Sequence, residues 1–529
     1  MSNNINESAA NSIKGSIVLV IGNTIAMMIN AVGVILVARM LLPAEYGLFT
    51  ITLILPGFFR LLTGWGIDQT LIRLIARKRA QITNINEKNA ILTSYIFRIL
   101  LGGSLTLILF FMGDFLAAFI LKKPEVGSYV RTASILVISE TIFYTNNAVF
   151  AGYEKMTTRA ALNICQSLIK SIFSPLLVYI GMGVSGVVIA HTSSYLIAGL
   201  IGLILVIKQA NISKKSEPTT SFIQTLKMLL TFGLPLFLSQ IFIRASVQIR
   251  GLLLSWYITS EIIGNYGVAN WFNLLLFTMT DSIGVALFPA FSKFEFKSEP
   301  TQLRDIYRGS TRYSTIFIIP LTLLIITSSE SIIQFLFNTK YPHAQTFLIL
   351  LLLPNLFIGL GRMSIRRLLI SQGENRATLV LDSINSIFTI ILAYIFIQIW
   401  SINGLLISLV ISALSHCLIG SYIIYKKFGI THNITHEVQT LLSAGFSGLI
   451  TYKIVDSLNT ANPFITLIIS TILFLTTYII TAPLTGAIQE RDIANLDNMF
   501  RNIKPLYPLA KAVLIVIEKI STLRTRKSE

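Results

Sequence analysis

Apolar runs of about 20 residues recur along almost the whole chain, separated by short polar connections. A helix needs about 20 mostly apolar residues to cross ~30 Å of hydrocarbon. That ruler predicts fourteen spans, at 16–38, 47–66, 89–112, 129–151, 160–181, 184–207, 228–253, 264–290, 311–328, 345–370, 377–399, 403–425, 438–456 and 462–485. The runs are too long and continuous for barrel strands, so the expected fold class is an all-α integral membrane protein. The seventh span carries Arg244 and Arg250, and the thirteenth is short and rich in Gly and Ser. Composition agrees: 53% of the 529 residues are hydrophobic and 12% charged, with mean hydropathy +0.72. Soluble domains carry about 25% charged residues, so a water-soluble or disordered chain is excluded. Cys165 and Cys417 both fall in apolar segments and suit packed side chains better than a disulfide or metal site. The first ten residues lack a basic signal-peptide head, and the apolar stretch 16–40 is too long for a signal core, so it reads as a retained span.

The net charge is +18, from 42 basic and 24 acidic residues. In a soluble chain this would raise nucleic acid as a partner; here it reports orientation, and no nucleic-acid partner is expected. With the N-terminus inside, 31 Lys and Arg fall on the inner side, 6 on the outer side and 5 within spans. That asymmetry places both termini in the cytoplasm of a multi-pass cell-membrane protein. The outer connections are short, the longest being about 113–128, which leaves no room for a catalytic domain and predicts a non-enzyme. The tail after 486 is basic, and its segment 505–520 reads as an interfacial helix with Lys511, Lys519, Arg524, Arg526 and Lys527 near anionic lipid.

An internal repeat shows in three places. Tyr46-Gly47 recurs as Tyr266-Gly267, at +220. Glu154 in GYEK recurs as Glu374 in QGEN, again at +220, and Gly186 in GMGVSG matches Gly404 in WSING at +218. Each pair occupies equivalent loops six spans apart. Six spans restore the same orientation, so the halves are parallel repeats about an axis along the membrane normal. The expected organisation is an N-tail (1–15), an N-lobe of six spans (16–208), a linker (209–227), a C-lobe of six spans (228–427), an extra helix pair (438–485) and the basic tail (486–529). Two such lobes would face each other in a V around a central cavity.

At these residues the chain resembles a known family. ARMLLPAEYGLFTI (38–51) and GWGIDQTLIRLIA (64–76) look like the opening of polysaccharide and oligosaccharide-lipid flippases, and AGYEKMTTRA (151–160) and SQGENRATLV (371–380) resemble their loops after the fourth and tenth spans. These proteins belong to the multidrug/oligosaccharidyl-lipid/polysaccharide exporter superfamily. The resemblance covers roughly 14–485. It implies fourteen helices, two six-helix lobes and alternating access for a glycan linked to polyprenyl phosphate or diphosphate. Membrane lipids and glycan-assembly proteins would be further partners.

A charge within a span costs about 2.5–3.5 kcal/mol on insertion scales, so it faces a cavity or a partner. The cations so placed are Arg60, Arg98, Lys170, Arg244 and Arg250, with Arg362 at an edge; the acids are Glu140, Asp281 and Asp382. A phosphate head group needs several cationic donors, and the guanidinium fork suits it. Arg60, Arg244 and Arg250 are the first candidates, because the resemblance implies that spans one, two, seven and eight line the cavity; Arg98 and Lys170 follow. In the family's peptidoglycan-precursor flippases arginines on cavity-lining spans serve the diphosphate, and Arg60 is the nearest positional match. The first span departs from that pattern, with Asn23, Thr24 and Asn30 but no arginine. The structural alternative for each cation is snorkelling or a fixed ion pair. The repeat sets Arg60 near the equivalent of Asp281 and suggests that the two pair when the cavity is empty. Glu140 and Asp382 are candidate proton carriers, or hydrogen-bonded neutral acids between helices. Each negative charge moved outward gains about 2.3 kcal/mol per 100 mV of inside-negative potential, so an ion partner is not required.

Pro56 and Pro235 lie on the expected cavity helices, where they would bend for gating or stand as static kinks. Gly181, Gly183 and Gly186 satisfy GxGxxG but sit in a hairpin between spans, outside any strand–turn–helix unit. His432, His436 and Glu437 could form a metal site, the alternative being a solvated loop. No phosphate-loop motif occurs, and no cofactor is expected. The rivals to a flippase are a multidrug exporter of the same superfamily, a membrane glycosyltransferase or ligase, and a non-transporting scaffold.

Overall fold

The structure is a computed structural model that describes residues 2–79, 86–210, 221–292, 294, 296, 298–458, 462–501 and 507–528. The side chains of 279–290, Asp281 included, lie outside the described residues, as do Lys214, Lys215 and the side chains of Arg524, Arg526 and Lys527. All regular structure among the described residues is helical. The chain divides into two compact units, 1–271 with 390–402 and 272–389 with 403–529. The first holds α1 (Ser2–Met40), α2 (Pro43–Thr52), α3 (Ile54–Gly64), α4 (Ile67–Arg79), α5 (Glu87–Phe119), α6 (Gly127–Ala133), α7 (Ile135–Gly152), α8 (Met156–Leu177), α9 (Gly183–Gln209), α10 (Phe222–Tyr257) and the start of α11 (Ser260–Ser292). The second holds the rest of α11, then α12 (Pro300–Thr327), α13 (Ser329–Phe337), α14 (Ala344–Leu352), α15 (Ser364–Ser371), both ends of α16 (Asn375–Phe428), α17 (Ile434–Leu458), α18 (Pro463–Thr485), α19 (Glu490–Arg501) and α20 (Tyr507–Ser528).

Seven helical segments among the described residues are long and apolar enough to cross a membrane, or nine if two bent pairs each count as one. Fourteen is the number read from the sequence. The difference has physical sources. Two of the seven segments, 156–209 and 375–428, are 54 residues long and each contains the break that the sequence places between two spans. The bent pairs lie in α10, which turns by 70° around Pro235, and across α14 and α15, which turn by 49°.

Backbone geometry marks the repeat more sharply than residue identity does. Gly183 takes φ 51, ψ −131 and Ser401 takes φ 56, ψ −141, at a spacing of 218. Positive φ also recurs at Lys122 and Asn338 (55° each, spacing 216) and at Glu154 and Gly373 (56° and 76°, spacing 219). L-residues enter this region at a cost of about 1–2 kcal/mol. It recurs in turns that the sequence repeat sets as equivalent.

Helix packing in the first unit depends on small residues and polar cross-links, as expected where lipid supplies no hydrophobic drive between helices. α1 lies on α8, with Gly33 against Ser171. Asn30 donates to Ser167 at 2.6 Å, Asn163 to Asn23 Oδ1 at 2.8 Å, and Ser171 to the Ile29 carbonyl at 2.9 Å. Asn23 and Asn30 of the first span therefore bind the fifth span, while Thr24 bonds the Val20 carbonyl of its own helix. Between α3 and α4 the chain turns at Trp65 and Gly66 (φ 43 and 70), where Gly66 sits directly on the backbone of Gly233 in α10. Only glycine fits both the dihedral and the approach.

In the second unit, Phe474, Tyr478 and Ala482 of α18 pack with Ile316 and Ile319 of α12 and with Leu514 and Ile517 of α20. The tail segment 505–520 thus includes a helix that buries one apolar edge while exposing Lys511 and Lys519. A second core joins Leu303 and Tyr307 of α12 to Leu368, Leu381 and Phe428.

Candidate functional site: a charged cluster within the first unit

Helices α3, α4, α5 and α7 bring five charged or phenolic side chains together at mid-span. α3 presents Arg60, whose Nε donates to Glu140 Oε2 on α7 at 2.7 Å. One turn further along α7, the Tyr144 ring lies 5.4 Å from the Arg60 guanidinium, a cation–π contact. Tyr195 of α9 stands behind it, its ring 6.3 Å from that of Tyr144. The pair is not sealed: the Arg60 side chain is 31% exposed and Glu140 15%. Arg60 can therefore meet a solute without leaving its partner.

A second pair lies beside the first and differs in kind. Arg98 of α5 is 3% exposed. It is held by both carboxylate oxygens of Asp68 on α4, by Thr145 at 2.7 Å and by the Thr63 carbonyl at 3.4 Å. Thr141 donates to Thr63 at 3.1 Å, and Tyr95 donates to Asn146, which in turn donates to the Gly199 carbonyl at 2.8 Å. These hydroxyls and amides extend the polar network across α3, α5, α7 and α9. Four hydrogen bonds thus hold the Arg98 guanidinium inside the unit, which is how a buried charge is tolerated.

The remaining candidates are dispersed. Arg244 on α10 is exposed and donates to Gln240 one turn earlier at 2.9 Å. Arg250 is half-buried near Tyr266. Lys170 lies 5.2 Å over the Trp271 ring and lines a space of about 20 Å³, room for one water. Asp382, on the first half of α16, is 5% exposed and accepts from Arg366 Nε at 3.0 Å, with His416 Nε2 3.9 Å away. Arg362 donates to Asn355 at 2.8 Å. The expected partner of Arg60, Asp281, lies outside the described side chains; the partner the structure gives Arg60 is Glu140.

Sequence reasoning missed Asp68, Tyr144, Tyr195 and Arg366. Asp68 was visible in GWGIDQT as a lone acid just past a Gly turn, which is where a chain re-enters a bundle. Nothing local marked the tyrosines. The solvated-loop reading of His436 and Glu437 is corrected: both are buried, at 4% and 6% exposure, because α12 and α19 cover the start of α17. Among the described residues no group of three metal-ligating side chains occurs.

Comparison with known proteins adds the family. Residues 36–346 match the family described as polysaccharide biosynthesis protein. An uncharacterized membrane protein of Methanocaldococcus jannaschii is 21% identical over 397 residues, 68% of this chain and 78% of that one. Among solved structures, the lipid II flippase MurJ in an inward closed conformation aligns with TM-score 0.71 and 16% identity, over 89% of this chain and 98% of that one. An inward-facing MATE family multidrug resistance transporter of the MOP superfamily aligns with TM-score 0.62 and 18% identity, over 78% and 98%. The fold is thus one shared by a lipid flippase and by multidrug transporters. With more than half of its length matched, the chain belongs to the polysaccharide biosynthesis protein family.

Proposed function

We propose that this protein is a flippase that carries a polyprenyl-phosphate- or polyprenyl-diphosphate-linked oligosaccharide from the cytoplasmic to the outer leaflet of the cell membrane, by alternating access. The observation that carries the reading is the half-open Arg60–Glu140 pair at mid-span. A carboxylate keeps the guanidinium charged and oriented when no substrate is present. An arriving phosphate competes for the same fork, and two or more charge-assisted bonds outmatch one carboxylate contact. Glu140, left without its partner in apolar surroundings, then takes up a proton. Arg244, exposed on α10, supplies a second donor, and Arg250 and Lys170 add positive potential; Arg98 orients α5 against α3 and α7 through Asp68. The family described as polysaccharide biosynthesis protein supports a glycan-linked cargo, and the fold shared with a lipid flippase supports a lipid one. The basic loops place both termini in the cytoplasm.

The test is reconstitution in liposomes with fluorescent polyprenyl-diphosphate glycans. Wild type should flip the probe, while Arg60→Ala and Arg244→Ala should each lose about tenfold or more, the worth of a charge-assisted hydrogen bond. The fold shared with MATE transporters favours one second reading, export of organic cations. Cation efflux from the same vesicles, with no flipping of the lipid glycan, would establish that reading instead.

A further inference from the structure

We propose that Glu437 is a proton-binding site that governs the break in the helix 344–371, reached by water through a polar cavity of the second unit. The cavity has a volume of about 430 Å³ and is lined by Arg308, Arg312, His436, Glu437 and Asp492, among others. A water molecule occupies about 30 Å³ of liquid, so several fit. Glu437, on the first turn of α17, is 6% exposed, and its carboxyl is pressed onto the backbone at the end of the 3-10 segment Leu353–Leu360 that continues α14. The Cδ and Oε1 atoms lie 2.7 and 3.0 Å from where a Cβ on Gly359 would stand, so a side chain there would displace the Glu437 carboxyl. The backbone amides of Gly359 and Leu360 lie close enough for their dipoles to favour the charged carboxylate. One residue further, Gly361 takes φ 80 and the chain turns by 49° into α15. The carboxyl is therefore the side-chain clasp on the two amides that precede the turn.

The charged groups around it are engaged elsewhere. On α12, Arg312 is bound bidentately to Asp492 of α19, at 2.6 and 2.5 Å. Arg308 reaches Thr431 at 3.3 Å, and Asp305 sits at the mouth with Arg491 of α19. On the broken helix Arg362 is held by Asn355, and from α16 Cys417 approaches. Beside Glu437, His436 Nε2 bonds the Ala487 carbonyl at 2.9 Å, and His432 packs on Tyr307. Burial pushes both histidines below their usual range, so they stay neutral near pH 7. Burial pushes Glu437 up to about 7, against the opposite pull of the two backbone N–H groups.

The sign follows from linkage. A carboxyl raised from 4.5 in the open chain to about 7 in place binds its proton more tightly when the clasp is closed. Its stabilisation is present at acid pH and is lost as pH rises through 7. A rise in pH on this side loosens the break, and a fall tightens it. Under the proposed orientation the cavity opens to the cytoplasm. The inference stands apart from the cargo, because its readout is backbone opening.

The experiment is hydrogen exchange followed by mass spectrometry on the full chain in nanodiscs, between pH 5.5 and 8.5, corrected for intrinsic rates. Peptides covering 355–371 should lose protection by about tenfold or more across the range, with a midpoint near 7. Glu437→Gln should hold these peptides at the acid level throughout, and His436→Gln should keep the step. Should Glu437→Gln fail to fold, Glu437→Asp must still move the midpoint. A flat wild-type profile overturns the proposal, and so does a step that survives in Glu437→Gln or vanishes in His436→Gln.

Discussion

The two arginine–carboxylate pairs of the first unit sit side by side and do opposite things. Arg98 and Asp68 close a gap: the arginine is sealed at 3% exposure although Asp68 is 31% exposed, and its hydrogen-bond partners are a hydroxyl, a carbonyl and a carboxylate. Arg60 and Glu140 leave one open: a single 2.7 Å contact, an aromatic face and 31% of the arginine still accessible. Residue types do not separate the two. What separates them is how many partners the surrounding helices deliver, and therefore whether a ligand can compete. A charged residue within a span is a candidate for function only when its satisfaction is incomplete.

Three experiments press on that contrast. The largest effect belongs to the pair that holds the sealed arginine. Asp68→Ala should cost about 3–5 kcal/mol of stability in micelles, because it strands a buried guanidinium. Pairing it with Arg98→Met should recover most of the loss. If the single change costs under about 1 kcal/mol, the Arg98 network is not structural. Next is the open pair. Glu140→Gln removes the competitor of Arg60, so equilibrium binding of a diphosphate lipid should tighten by several-fold to about tenfold while the flipping rate falls. Unchanged binding would mean that Glu140 does not compete for Arg60. The smallest effect tests the same idea of satisfied and open environments on the backbone. Gly181→Ala meets φ 91 with nothing within 4 Å and should cost about 1–2 kcal/mol from the dihedral alone. Gly66→Ala should exceed it, since a Cβ there would strike the Gly233 backbone as well.

Much of the fold was legible because lipid imposes a simple rule. Long apolar runs must be helices, and the breaks at Gly181–Gly183 and Trp400–Ser401 fell where short polar interruptions said they would. The turns recur at 216, 219 and 218 residues because equivalent loops need equivalent dihedrals, and this was readable only faintly, as Tyr-Gly, lone Glu and lone Gly matches. The bend in α10 was flagged by Pro235, but not its angle. Arg60, Glu140 and Arg98 were all picked out as mid-span charges. Their pairing was not: symmetry arithmetic pointed Arg60 at Asp281, whereas lateral packing of α3 on α7 set it against Glu140. Glu437 read as a loop residue for the same reason, since the elements that bury it are remote in sequence.

Hydropathy and charge, then, determined by themselves that this chain is a multi-pass helical membrane protein with costly charges within its apolar helices. They suffice because the transfer energy of each segment is a local sum over its own residues. Which charge meets which, how fully each is satisfied and what remains open to a ligand were decided only by tertiary structure. Those properties depend on the rotation and height of one helix against another, and the packing of distant side chains sets both.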